Sequence, residues 1–450
     1  MQNVKGGINM CAEYEQIKKA NIMISSLCIF TSIKDDSVLT KYGSLLKYLT
    51  KKEISVEKAI SFYNDFTYEL LSSSNIISLK IYILDKLFLD NNAFTSMIDS
   101  ENLDNKHILE QVKYELKALQ YISSIKSKDF KDYIILKGKA KNFEAEIINS
   151  LIDFEVDTTL SLNEPKAIDK LKSNIINSEN WDSLREDIIE FYQKYGTGIF
   201  GEYRAFVWEH EDDKTYLRGV EAPDPVRLKD LAGYENQKEV IIKNTEQFLK
   251  GYPANNILLY GSRGTGKSST VKAIINEYYS QGLRLIEVDK EKLVDFTKII
   301  KILKNKNLKF IIFVDDLVFE EGESSYSALK TILEGGIENR SNNILIYATT
   351  NRKHLVKETF SERAGDEVHA HDSIEEKLSL ADRFGMTVSF YSPDQKEYLQ
   401  VIDSIAESRG IEVDKEYLHA EALKWVRWYN ARSPRTAVQF INWLQGELER

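Results

Sequence analysis

The run Gly261-Ser262-Arg263-Gly264-Thr265-Gly266-Lys267-Ser268 follows the apolar stretch Ile257-Leu258-Leu259-Tyr260 and leads into an amphipathic segment that begins with Ser269. It fits G-x-x-x-x-G-K-[ST], a pattern that has meaning only where a strand turns through a glycine loop into a helix. The glycines let main-chain N–H groups converge on a phosphate, and the next helix brings the positive end of its dipole to the same place. Lys267 can reach the outer phosphates as a point charge, and the Ser268 hydroxyl can ligate Mg2+. Gly261, Ser262, Arg263, Gly264, Thr265, Gly266, Lys267, Ser268 and Ser269 are therefore the candidate residues for binding a nucleoside triphosphate.

A chain of 450 residues has room for two or three domains, each with its own core. Its formal net charge of -10 argues against wholesale binding to nucleic acid or to an anionic membrane. The cysteines, Cys11 and Cys28, both lie near the N-terminus, which indicates no disulfide framework. No apolar run is long enough to span a bilayer, and Met1 to Tyr14 has no signal-peptide pattern. A cytoplasmic protein without a membrane partner is expected.

Glycine and proline divide the chain. Between Ile8 and Tyr195 the only such residues are Gly43, Gly138 and Pro165. Apolar residues there recur at helical spacing, as in Ile60, Tyr63 and Phe66, or Ile108, Val112, Leu116, Leu119 and Ile122. Residues 1–198 are expected to form a mostly α-helical N-terminal domain. Alternation from Gly201 to Trp208, the polar turn His210–Asp213 and the run Thr215–Val220 predict a hairpin, with Pro223 and Pro225 marking a linker over 199–225. Beyond it, strands at Ile257–Tyr260, Leu283–Val288, Phe310–Val314, Ile344–Ala348 and Thr387–Tyr391 alternate with helices. That pattern predicts a parallel five-stranded sheet over 226–395. Residues 396–450 read as helices alone, a small lid.

Four further motifs carry chemistry. Phe310-Ile311-Ile312-Phe313-Val314 ends in Asp315-Asp316, where ligands collect in open α/β sheets. Asp315 is the candidate to hold Mg2+ through water, and Asp316 to polarise the attacking water; Glu320 and Glu321 are alternative bases. The next strand ends in Thr349-Thr350-Asn351, where Asn351, or secondarily Thr350, can hydrogen-bond both the outermost phosphate and the water. Arg383, in Leu380-Ala381-Asp382-Arg383-Phe384-Gly385, is placed to face a neighbouring subunit's nucleotide, the alternative being a surface salt bridge with Asp382 or Glu376. Arg435 follows Pro434, a residue suited to a first helical turn, and would reach the phosphates from the lid. His369 and His371 share a face of an extended segment, but without cysteines or a His on a second element an exposed acidic loop is the better reading.

The order and spacing of these elements resemble an AAA+ ATPase core with its helical lid. Several runs further resemble the bacterial domain-of-unknown-function 815 family of AAA+ ATP-binding proteins: Arg227 to Glu235, Asn255 to Gly261, Gly282 to Val288, Leu333 to Gly336, Glu375 to Gly385 and Ala437 to Ile441. The resemblance is dense from about Phe200 to Phe440. It implies an α/β P-loop NTPase fold, ATP and Mg2+ as cofactors, ATP hydrolysis, a ring-type homo-oligomer, and an adenine pocket lined by Gly233 and Tyr234. Pro434 departs from a familiar glycine and Val318 from a serine.

Three roles remain open to such an ATPase. A protein-threading remodeller is disfavoured by Asp289-Lys290-Glu291-Lys292-Leu293-Val294-Asp295-Phe296, which has no glycine beside an aromatic. A nucleic-acid loader fits Asp315-Asp316 and Arg383-Phe384-Gly385 but not the acidic balance. A nucleotide-gated scaffold, with the N-terminal helices binding a partner, is the third. The client, protein or nucleic acid, is unnamed by the sequence.

Overall fold

A computed structural model describes residues 2–73, 77–100, 102–155, 167–211, 214–319, 323–334, 341–352, 380, 382–429 and 431–448. The chain divides into two compact units, Met1–Glu202 and Tyr203–Arg450.

The regular elements described in the first unit are all helices. Helix Val56–Ser73 buries Ala59, Tyr63, Phe66 and Leu70 and turns Tyr68 to solvent. Helix Lys106–Ile122 buries Val112, Leu116, Leu119 and Ile122 on one stripe, the spacing of a core-facing amphipathic helix. Tyr42, Phe66, Phe130 and Phe154 pack edge-on or tilted at ring separations of 4.9–5.9 Å.

Among the polar residues buried in this unit are Thr67, Asp90, Lys131 and Glu115. Glu115 has no exposed surface, and its carboxylate accepts from the main-chain N–H groups of Cys28 (2.9 Å), Ile29 (3.0 Å) and Phe30 (3.0 Å) and from the Gln111 amide (2.7 Å). These donors are otherwise orphaned where the chain enters helix Thr31–Lys34. Burial raises the carboxyl's pKa, but the hydrogen bonds from Phe30, Gln111, Cys28 and Ile29 prevail and hold it below the usual carboxylate range.

The second unit is built on one sheet of order β2-β1-β4-β5-β6-β3-β7: β1 Ala205–Glu211, β2 Lys214–Gly219, β3 Asn256–Gly261, β4 Leu283–Glu287, β5 Lys309–Val314, β6 Ile344–Thr350 and β7 Gly385–Phe390. The sheet has seven strands rather than the five expected. The additional two are the hairpin, whose β1 pairs parallel to β4 from Ala205 opposite Leu285, while β2 runs antiparallel along the outer edge. The physical reason is burial: Phe206 and Trp208 are each 1% exposed, and the Trp208 indole donates to Asp295 at 3.3 Å. The tip of the hairpin lies outside the described residues. The other five strands are mutually parallel. Because β3 lies between β6 and β7, the chain leaves it in one direction and returns on its other side, making the carboxyl end of β3 a topological switch point.

Helices Gln395–Ser408, Lys415–Tyr429 and Pro434–Leu448 share a core of Tyr398, Ile402, Ala422, Trp425, Phe440 and Leu444. Asp394 caps the first through Glu397 N at 2.8 Å, with Glu397 reciprocating to the Asp394 N–H. Among the described residues no helix is long and apolar enough to cross a membrane.

Replacing Glu115 by Ala strands three main-chain donors, so it is expected to destabilise the N-terminal unit by about 3 kcal/mol. Its depressed pKa makes that contribution complete above the ordinary carboxylate value of ~4.3 and lost as pH falls through the lower folded value. Hydrogen exchange in the N-terminal helices of the full chain measures this: the gap between native and Glu115→Ala proteins should be wide at pH 7 and narrow in acid. Equal protection at pH 7 would contradict the assignment.

Candidate functional site

β3 ends at Gly261, whose φ of +143° suits glycine alone. A Cβ there would stand 2.0 Å from the Phe390 carbonyl oxygen of β7, so the loop leaves the sheet under the neighbouring main chain. Ser262 N donates to that same carbonyl at 3.0 Å. Thr265 closes the loop on itself, Oγ1 to Ser262 O at 2.8 Å. Gly266, at φ +92°, precedes helix Lys267–Tyr278, and nothing lies within 4 Å of where its Cβ would be. The loop is therefore an open cradle at a helix N-terminus, the shape that receives a phosphate.

Lys267 is 6% exposed, and its ammonium donates to Gly261 O (2.9 Å), Ser262 O (2.8 Å) and Asn351 Oδ1 (3.0 Å). Burial lowers its pKa; Asp315 and Asp316 oppose that, and Arg435 and Arg263 add to it. A cation so placed gains from an incoming polyanion.

β5 and β6 supply the acids and amides. Asp315 Oδ1 accepts from Ser268 Oγ at 2.6 Å. Asp316 has φ +49°, its N–H donates to Thr349 Oγ1 at 2.9 Å, and its carboxylate accepts from Asn351 Nδ2 at 2.7 Å. Asn351 thus stands between the lysine and the second carboxylate. Ser268 and Asp315 offer hard oxygen donors of the kind Mg2+ takes alongside phosphates and water. Among the described residues no group of three His, Cys, Asp or Glu is placed to hold a metal unaided. The donor set fits a cation shared with a bound phosphate.

These groups surround a cavity of about 600 Å3, into which Arg263, Gly264, Thr265, Gly266, Lys267, Ser268 and Ser269 all face. Gly233 and Tyr234 also line it. The Tyr234 ring lies 5.1 Å from that of Phe390, and its hydroxyl donates to Tyr391 O at 2.5 Å. Arg435 lines it from helix Pro434–Leu448, its main-chain N donating to Gly264 O at 3.1 Å. Gly261 and Ser262 do not reach the cavity; they form the floor that holds Lys267.

Arg383 is elsewhere. With Phe384 and Gly385 it lines a separate cavity of about 720 Å3 beside Asn255 and Asn256, at the opposite end of β3. Gly385 pairs with Asn256 and Phe390 with Gly261. Five residue steps at ~3.3 Å put the arginine about 17 Å from its own phosphate loop. Thr350, the second choice after Asn351, is fully buried on the other face of β6. Glu320, Glu321, Glu376, His369 and His371 lie outside the described residues.

Sequence reasoning missed Thr349, which lines the cavity two positions before Asn351, and Val438 and Gln439, three and four positions after Arg435. Strand alternation and helical spacing would have found them. It also missed Lys238, 6% exposed at the cavity wall, which donates to Leu231 O at 2.6 Å.

Several curated proteins are similar to parts of this chain. A replication factor C large subunit of Staphylothermus marinus is 32% identical over 24% of this chain and 27% of its own length. An AAA-ATPase of Arabidopsis thaliana is 23% identical over 57% and 55%, and a proteasome-activating nucleotidase of Methanococcus maripaludis 33% over 26% and 30%. The chain thus spans about half, or less, of the length of each of these relatives. A solved structure of Thermotoga maritima RuvB T158V matches at 16% identity and a TM-score of 0.30, over 48% of this chain and 72% of that one. A family model described as "Protein of unknown function (DUF815)" matches residues 201–448, more than half of the chain, and the chain belongs to that family.

Proposed function

We propose that the chain binds ATP with Mg2+ and hydrolyses the β–γ phosphoanhydride bond, in a ring-type homo-oligomer that couples nucleotide state to remodelling or loading of a client. The observation that carries this reading is the convergence of Lys267, Ser268, Asp315, Asp316 and Asn351 on one cavity at the carboxyl ends of β3, β5 and β6. The relatives' names, an AAA-ATPase and a nucleotidase among them, support ATPase chemistry, and the words replication factor and proteasome-activating leave the client open, which DNA-stimulated turnover would narrow.

The loop N–H groups cradle the outer phosphates, and Lys267 exchanges its carbonyl partners for phosphate oxygens. Ser268, and Asp315 through water, would hold Mg2+, which would supply charge neutralisation at the phosphates. Asp316 accepts a proton from water as the water oxygen bonds to the γ-phosphorus. The bond from that phosphorus to the bridging oxygen breaks, leaving ADP and phosphate. Asn351 orients the water and the γ-phosphate, Gly233 and Tyr234 bound the base, and Arg435 covers the loop. Arg383 cannot serve its own site across about 17 Å, which supports a role in a neighbour's.

Calorimetry with Mg2+ should find ATP bound at least roughly tenfold more weakly by Lys267→Ala, since charge-assisted hydrogen bonds are worth about 1.5–3 kcal/mol. Unchanged affinity would remove the phosphate-loop assignment. Asp316→Asn should retain affinity and lose turnover; weaker binding with turnover intact would move the base to Glu320 or Glu321.

Arg383→Ala should bind ATP normally and turn over about a thousandfold more slowly. Mixing it with Lys267→Ala chains should restore partial activity, because some interfaces then pair an intact loop with an intact arginine. A monomer hydrolysing ATP at constant specific rate at every protein concentration would return Arg383 to a structural role.

A further inference from the structure

We infer that Thr349 is a positioning residue for this site: one hydroxyl holds both the Asp315 carboxylate and the Asp316 main chain, and keeps Asp315 aligned when Ser268 turns to the cation. The inference rests on the ATP and Mg2+ reading above.

Thr349 is 2% exposed and is the penultimate residue of β6, on the face that alternation gives it in common with Asn351; both line the cavity. A hydroxyl has one proton and two lone pairs. Thr349 gives its proton to Asp315 Oδ1 and accepts the Asp316 N–H at 2.9 Å. Its own carbonyl accepts the Leu317 N–H at 2.7 Å. One residue therefore pins three consecutive positions, and the middle one is Asp316 at φ +49°, a conformation an L-residue keeps only where its surroundings hold it. Thr350 does none of this: it is fully buried on the opposite face, and its hydroxyl oxygen accepts from Arg352 N at 3.2 Å.

Asp315 Oδ1 has two hydroxyl donors, Ser268 and Thr349. The two are not equivalent. Ser268 sits on the loop helix, and once its oxygen serves as a ligand its proton must point away from the cation. Among the described residues, the donors then left on Asp315 Oδ1 are Thr349 Oγ1 and the Asp316 N–H at 3.2 Å. Without the hydroxyl, the Asp315 carboxylate can rotate and the Asp316 N–H loses its shorter bond. Outer-shell donors of this kind set cation affinity as the ligands themselves do.

The test compares full-length Thr349→Ser and Thr349→Ala, which both lack the methyl group and differ by the hydroxyl alone; melting temperatures establish that each is folded. ATP affinity is measured by calorimetry in EDTA and with Mg2+, and turnover as a function of Mg2+. Thr349→Ser should behave as the native chain. Thr349→Ala should match it in EDTA, lose roughly tenfold or more of the affinity gained on adding Mg2+, need correspondingly more Mg2+ for half-maximal rate, and fall in kcat with little change in KM for ATP. Equal Mg2+ gain and equal Mg2+ dependence in the two variants would overturn the role of Thr349. A native chain whose ATP affinity ignores Mg2+ would instead overturn the nucleotide reading on which it rests.

Discussion

A buried ammonium must find oxygen, and the arrangement around Lys267 follows from that requirement. Its acceptors come from the end of β3, the loop beyond it and the end of β6. The lysine therefore ties together two strands that are adjacent in the sheet though far apart in the chain. The tie is mostly to neutral carbonyls rather than to a carboxylate in contact. Such an ammonium is satisfied but not neutralised, and it can exchange those partners for a phosphate without breaking an ion pair. A direct bond to Asp315 or Asp316 would have made that exchange more costly.

The placement of most of this site could be read from residue order. A glycine loop between an apolar run and an amphipathic one leaves few geometries, and parallel strands that end in Asp315-Asp316 and in Asn351 deliver their polar ends to one edge of the sheet. Less could be read where the relevant signal was faint or depended on three-dimensional pairing. The hairpin was legible as a hairpin, but its membership of the main sheet depends on β1 finding β4, with paired residues 80 positions apart, and only the burial of Phe206 and Trp208 hints at it. Thr349 was overlooked beside the more versatile amide of Asn351, although alternation puts the two on one face. Lys238 was invisible because a lysine on a helix is ordinarily a solvated residue; here its stem is buried and its head is shared between the Leu231 carbonyl and the Glu235 carboxylate.

The N-terminal unit poses the opposite case. Its helices are legible from spacing, but its central polar interaction is not. Glu115 falls on the buried stripe of its helix, where an acid ordinarily would not be. Its use appears only when the turn at Cys28–Phe30, more than eighty residues earlier, arrives with three unpaired N–H groups. The sequence of the helix alone contains no sign of them.

The contact between Arg435 N and Gly264 O joins the three-helix bundle to the glycine loop through main-chain atoms. Gly264 has φ +76°, and a Cβ there would stand 3.0 Å from Ser433 Oγ and 3.1 Å from Arg435 Cβ, so the bundle packs directly on the main chain of the loop. Helix Pro434–Leu448 has 15 residues, a rod about 22 Å long. A 10° tilt about its first turn would sweep the far end through about 4 Å. The loop peptide is in effect the fulcrum of a lever, and an adjustment too small to notice at the cradle becomes a displacement of side-chain dimensions at the rim of the unit.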